Sequence, residues 1–188
     1  NIVRSIRFTR GLRAGDPSGF TNMFAYNRDG EMLAGTNAEG NSAEYTYDSG
    51  NPDRLQQGNL LQVRRLPGPR GGEQAQLPTS TTYETNFNFV KTSTDSRANV
   101  TTYAYDLRGN RTNIVHRIST IVEDFTYNAY GQMTSHRLPD NGSGSRRLDT
   151  MVYYSSGPQN GYLQSRVVDS GGFNLTTSYE YDTRGNVV

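Results

Sequence analysis

The chain has no cysteine, no tryptophan and a single lysine, Lys91. Without cysteine there is no disulfide framework and no thiolate metal site, and the redox compartment leaves no trace in the sequence. No apolar run approaches the roughly 18 residues that a membrane-spanning helix requires. No basic segment leads into an apolar stretch, so no signal peptide is visible. Net charge is also missing: 19 basic residues face 18 acidic ones, for a formal +1. That balance gives no electrostatic footprint for nucleic acid. Aliphatic and phenylalanine side chains are few, with Leu, Ile, Val and Phe making up about 19% of the 188 residues. A value under roughly 20% goes with disorder only when net charge is high, and here it is not.

What is abundant points to strands and turns. There are 13 tyrosines, 20 glycines, 20 threonines and 17 asparagines. Threonine and tyrosine suit a pleated, half-buried surface, while glycine and asparagine suit turns. Eighteen of the 19 basic residues are arginine, whose planar guanidinium can stack on tyrosine rings.

One unit recurs: aromatic, any residue, aromatic, Asp or Asn, two free positions, Gly and a polar residue. It reads Phe24-Ala25-Tyr26-Asn27-Arg28-Asp29-Gly30-Glu31, then Tyr103-Ala104-Tyr105-Asp106-Leu107-Arg108-Gly109-Asn110. Phe125-Thr126-Tyr127-Asn128-Ala129-Tyr130-Gly131-Gln132 and Tyr179-Glu180-Tyr181-Asp182-Thr183-Arg184-Gly185-Asn186 follow it. A copy one residue shorter is Tyr45-Thr46-Tyr47-Asp48-Ser49-Gly50-Asn51, and degenerate relatives are expected at Phe87-Asn88-Phe89 and Met151-Val152-Tyr153-Tyr154. Residues two apart on a strand share a face, which puts Tyr103 beside Tyr105. The Asp or Asn opens a turn through its side chain, and the glycine closes it at positive φ. A second set of turns, at Asn37–Asn41 and Asp95–Asn99, falls between the copies at a spacing of 10 or 11 residues. The pattern predicts an all-β, antiparallel β-hairpin array with strands of about six or seven residues. Ile114 to Phe125 has helical spacing but is β-branched throughout, so it is read as strand, turn near Ser119-Thr120, strand. Loops are expected at 66–78, 139–147 and 155–161. One array over residues 1–188 is expected, and the closing unit at Tyr179 to Asn186 suggests an array that continues beyond a fragment.

The eight-residue unit resembles the YD repeat of the RHS (rearrangement hot spot) family, most closely at Asn99 to Thr112 and at Ser178 to Asn186. The resemblance implies a curved YD-repeat sheet forming part of a spiral β-shell. In toxin members of that family the shell encloses a C-terminal effector; other members are wall-associated proteins and teneurins. It further implies a large secreted or cell-surface protein whose partners are more YD repeats and an encapsulated effector. No segment here corresponds to the family's aspartate-dependent self-cleavage region, and none reads as an effector.

The remaining candidates favour structure over chemistry. Asp48, Asn51 and Asp53 could share a calcium ion, but turn chemistry accounts for them better. Glu123 and Asp124 are adjacent on a strand and so point to opposite faces, which argues against a glycosidase pair. His116 and His136 are expected as surface strand residues. Arg4, Arg7, Arg10 and Arg13 read as a solvated strand face. The triplets at Asn99, Asn110, Asn141 and Asn174 match glycan acceptors, but chance explains most of them. The tyrosines are expected to pack as cross-strand ladders with their hydroxyls toward solvent. The functional expectation is a non-enzymatic shell segment with no cofactor and no metal. The alternative is a surface adhesin or fibre element that binds glycans or neighbouring subunits through its tyrosine-rich face.

Overall fold

A computed structural model describes residues 2–8, 19–69 and 75–188. Arg10 and Arg13 of the basic N-terminal stretch lie outside the described residues, as does part of the expected 66–78 loop. The chain divides into two compact units, residues 1–100 and 101–188. The first holds β1 (Ile2–Phe8), β2 (Phe20–Tyr26), β3 (Met32–Thr36), β4 (Ser42–Tyr47), β5 (Leu60–Leu66), β6 (Leu77–Tyr83) and β7 (Val90–Thr94). The second holds β8 (Val100–Tyr105), which starts at the boundary residue, β9 (Arg111–Val115), β10 (Val122–Tyr127), β11 (Met133–Asp140), β12 (Arg146–Tyr153), β13 (Leu163–Val168) and β14 (Leu175–Ser178). Within each unit every strand pairs antiparallel with its sequence neighbours, so the all-β hairpin array expected from the repeat is what forms. The strands are four to eight residues long. The segment from Ile114 to Phe125 is strand, turn and strand, with Ile121 N–H donating to the Ile118 carbonyl.

The sheet face alternates as the period-two pattern requires. In β8, Tyr103 and Tyr105 are half-buried and Ala104 between them is exposed. In the second unit one face carries the rows Tyr103–Ile114–Glu123 and Phe125–His136–Asp149. The buried residues among those described lie here: Ile114 and Met151 at 8% exposure and Asp149 at 1%. This core is thin, as the shortage of aliphatics demands. With so small a buried core, cross-strand pairs carry much of the packing within each unit. A single 3₁₀ turn, Arg54–Gln56, interrupts the described strands, and Asp53 caps it through the Leu55 N–H at 3.0 Å.

Candidate functional site: the turn edge and its tyrosines

The recurring turn has a fixed wiring. In the copy at Asp106, the Asp106 N–H donates to the Asn110 carbonyl at 2.9 Å, and the Gly109 N–H returns to the Asp106 carbonyl at 3.1 Å. One carboxylate oxygen, Oδ1, accepts the Arg108 and Asn110 N–H groups at 2.9 Å each. The other, Oδ2, accepts the Asn110 side-chain amide, also at 2.9 Å. Gly109 sits at φ +84°, where an L side chain is strained, so glycine is the natural residue there. Asp182, Gly185 (φ +84°) and Asn186 repeat every one of these bonds. Asn128 uses its amide in the same way toward Gln132, around Gly131. Asn27 does so toward Glu31, around Gly30.

The turns between the copies are the same device. Asp95 and Asn99 bracket Ala98 at φ +62°, and Asn37 and Asn41 bracket Gly40 at φ +85°. The asparagine amide at the far end of the turn is the main cause that holds the Asp95, Asp106 and Asp182 carboxyls below the usual carboxylate range.

The copy at Asp48 corrects the sequence reading. Gly50 does not take a positive φ; Gly58 does, at +81°. Asp48 is closed by Asn59, whose N–H and side-chain amide donate to its two carboxylate oxygens at 2.7 and 2.9 Å. The unit is therefore longer, with the 3₁₀ turn inserted between opener and closer. Asn51 caps the Asp53 N–H at 3.0 Å, so Asn51, Asp53 and Asp48 are each engaged in turn bonds. Gly58-Asn59 stands directly before β5 as Gly109-Asn110 stands directly before β9, and that Gly-Asn pair is the sequence mark of the closer. Phe87-Asn88-Phe89 is a second correction. It forms a turn itself, with Asn88 at φ +59° and the rings stacked 5.6 Å apart, and Tyr83-Glu84 stands in the motif position. Glu84 accepts the N–H groups of Asn86, Phe87 and Phe89. The relative at Met151–Tyr154 holds: Tyr153 takes the tyrosine place, and Tyr154 opens a wide turn closed by Gly161 and Tyr162.

A feature invisible in the motif joins these turns to the sheet. Pairing slips by one residue at Tyr26, Tyr47, Tyr83, Tyr105, Tyr127 and Tyr153, which leaves an extra residue in the returning strand. These β-bulges follow the turn at a constant distance. The tyrosine hydroxyls then reach back by one hairpin. Tyr83 donates to the Leu60 carbonyl at 3.1 Å; Tyr127, Tyr153 and Tyr181 donate to those of Arg111, Met133 and Leu163 at 2.9 Å. Each acceptor is the residue opposite the preceding motif tyrosine: Tyr47, Tyr105, Tyr127 and Tyr153. The expectation of solvent-facing hydroxyls is thus corrected for these four. Burial pushes the Tyr83, Tyr127 and Tyr153 phenols up, which keeps them protonated as donors. Tyr179 lies just past β14, where its carbonyl accepts the Tyr154 hydroxyl at 2.9 Å.

Neighbouring turns are also bonded to one another. In the first unit Ser49 donates to Glu31 at 2.9 Å, and Asn59 and Asn88 exchange side-chain hydrogen bonds. In the second unit Arg108 and Gln132 donate to the carbonyls of Ala129 and Gly161, and Gln159 donates to that of Tyr181. The expected arginine stacking occurs at Arg111, 5.8 Å from the Tyr103 ring centre and 5.6 Å from that of Phe125.

Three polar clusters in the second unit leave no signature in the sequence pattern. The Glu123 carboxylate bridges both histidines, with Oε1 to His116 Nε2 at 2.9 Å and Oε2 to His136 Nε2 at 2.7 Å. Both rings are half-buried: His136 lies in β11 and stacks on Phe125, and His116 lies just past β9, so the expected surface positions are partly covered and tied to one carboxylate. These hydrogen bonds, His116 first, hold Glu123 below its ordinary value against the opposing effect of burial. Asp124 does face the other side. There Asn113 and Arg146 bind it at 2.7 and 2.6 Å, and Arg146 also donates to the Val122 and Leu138 carbonyls. The buried Asp149 carries Arg147 and Arg166, each at 3.0 Å. Apart from Arg147, which shares β12 with Asp149, the antiparallel register brings these partners together from separate parts of the chain.

A chain-ordered antiparallel sheet, closed by Asx–Gly turns and stitched by tyrosines, defines a class of hairpin-array β-protein. Among solved structures, the chain resembles a crystal structure of TcdB2–TccC3 lacking its hypervariable C-terminal region, at TM-score 0.52 and 17% identity, over 90% of this chain. A structure of a Photorhabdus luminescens Tc holotoxin pore aligns over 99% of the chain at TM-score 0.45 and 15% identity. The chain spans 11% of the length of each of those chains. No family model matches the sequence, and no curated protein matches it either. Among the described residues, no helix is long and apolar enough to cross a membrane.

Proposed function

We propose that this chain is a non-catalytic wall segment of an RHS/YD-repeat shell in a large secreted or cell-surface protein. The observation that carries the reading is the tyrosine stitch. The residues that define the repeat bond the backbone of their own turn or of the preceding hairpin, so the motif serves to add hairpins in series. The fold likeness to a TcdB2–TccC3 chain supports it. Glu123 and Asp124, the one pair considered for hydrolysis, face opposite sides and are tied to histidines and to Arg146. The partners of such a segment are further repeats of the same chain or assembly and, in a toxin, an enclosed C-terminal effector. Electron cryomicroscopy of the full-length gene product tests the proposal. These strands are expected as consecutive turns of a closed wall with density inside; a free-standing sheet that binds ligands on a glycan array would replace it with the adhesin reading.

A further inference from the structure

A cavity of about 480 Å³ lies on one face of the first unit. Its floor is a cross-strand row that runs Phe24, Gly35, Ala43, Arg65 and Leu77 from β2 to β6. Gly35 lets the Phe24 ring lie close across it, 3.5 Å from where a Cβ would stand, and the small Ala43 leaves a trough between that ring and Leu77. One end is walled by the Asn37–Asn41 turn, onto which the Pro67-Gly68 segment folds. Gly68 N–H donates to Asn41 Oδ1 at 2.8 Å, and a Cβ on Gly68 would lie 2.6 Å from the Glu39 carbonyl oxygen, so the wall is tightly fitted. The lining is predominantly apolar and includes Met32 and Tyr45, and among the described residues none of its side chains is acidic. Among the described residues its one charged side chain is the exposed Arg65. The adjacent Arg64 points to the other face and pairs with Glu44, whereas Arg65 has no carboxylate partner among the described residues. Ligand sites of roughly 300–1,000 Å³ commonly combine an apolar body with one or two placed polar groups.

We propose that this trough is a binding site for a small amphipathic anion, an aryl or acyl body ended by a carboxylate or sulfonate. The apolar body lies over Ala43 between the Phe24 ring and Leu77, and the anionic end pairs with the Arg65 guanidinium. A guanidinium–oxyanion contact is charge-assisted, and it gives the ligand its direction in the trough. The site uses none of the four tyrosine hydroxyl bonds of the proposed shell stitch, made by Tyr83, Tyr127, Tyr153 and Tyr181, and stands or falls independently of that reading.

Fluorescence titration of the chain with anilinonaphthalene sulfonate, and with the uncharged N-phenylnaphthylamine, tests the site. Arg65→Gln is expected to weaken the sulfonate about tenfold while changing the neutral probe less than about twofold, the loss of one charge-assisted contact. Ala43→Leu, which fills the trough, is expected to weaken both probes by about tenfold or more. Dodecanoate is expected to displace the sulfonate and to shift the Gly35, Ala43 and Leu77 amide resonances of the unsubstituted chain. If both probes bind Arg65→Gln as they bind the unsubstituted chain, or if those three amides stay unmoved while dodecanoate binds, the proposal is overturned. The amide readout requires no variant to fold.

Discussion

At the residue scale, the turns opened by Asn27, Asn37, Asp95, Asp106, Asn128 and Asp182 depend on a short polar side chain at the opening and a left-handed residue three positions later, whereas the Asp48 turn carries its left-handed glycine at Gly58. The Asp48 turn separates this rule from simple proximity in sequence. Gly58→Ala places a Cβ at φ +81°, 3.0 Å from Glu31 Oε1, and is expected to cost about 1–2 kcal/mol in urea unfolding. Gly50→Ala meets nothing within 4 Å and is expected to be near neutral. The carboxylate openers also set a pH dependence. Asp95, Asp106 and Asp182 are lowered in the fold from an ordinary 3.8, so their contribution is complete above that value and is lost as pH falls through the lower folded-state values. Acid titration followed by circular dichroism is expected to show stability declining below about pH 4. Asp106→Asn is expected to keep the turn, since Asn37 and Asn41 already form an all-amide version, while making the decline shallower. Unchanged acid sensitivity in Asp106→Asn with Asp182→Asn would show that other carboxylates dominate.

At the scale of the element, the unit of construction is the hairpin with its bulge, and the tyrosine hydroxyl is the bond between one hairpin and the next. Tyr127→Phe removes the donor to the Arg111 carbonyl and keeps the ring, for an expected loss of about 0.5–1.5 kcal/mol. Tyr130→Phe, at 88% exposure on the same turn, is the control and is expected to change stability little. Because burial raises the Tyr83, Tyr127 and Tyr153 phenols, their contribution is present below the ordinary tyrosine value of 10.0 and is lost as pH rises through the higher folded-state values. Strand positions and most turns were legible in the sequence because period-two alternation and Asx–Gly chemistry act over a few residues. The bulges were not, since a one-residue slip leaves the local pattern of each strand intact and shows only in what lies opposite.

At the scale of the molecule, each unit is a sheet with little buried volume, and the second unit concentrates its burial at Ile114, Met151 and Asp149. Asp149→Ala removes the acceptor of two arginines and of the Asp169 N–H, and it is expected to lower unfolding free energy by about 2–3 kcal/mol. Arg166→Gln, at a half-exposed partner, is expected to cost under about 1 kcal/mol. Equal losses from the two variants would place the strength in the arginine and not in the buried carboxylate. Leu107, 91% exposed at a turn tip, is expected to be replaceable by Ser without loss of stability.

The sequence by itself determined the all-β class, the chain-ordered hairpins and the residues of the recurring turn, because those rest on backbone geometry and side chains within about five positions. Only the tertiary structure decided that Gly58-Asn59 closes the Asp48 turn, that the tyrosines bond the preceding hairpin, that Glu123 joins two histidines, and that Ala43 leaves a trough beside Arg65. Each of those is a cross-strand relation. Register fixes them, and register is set by where the bulges fall and by which face is buried.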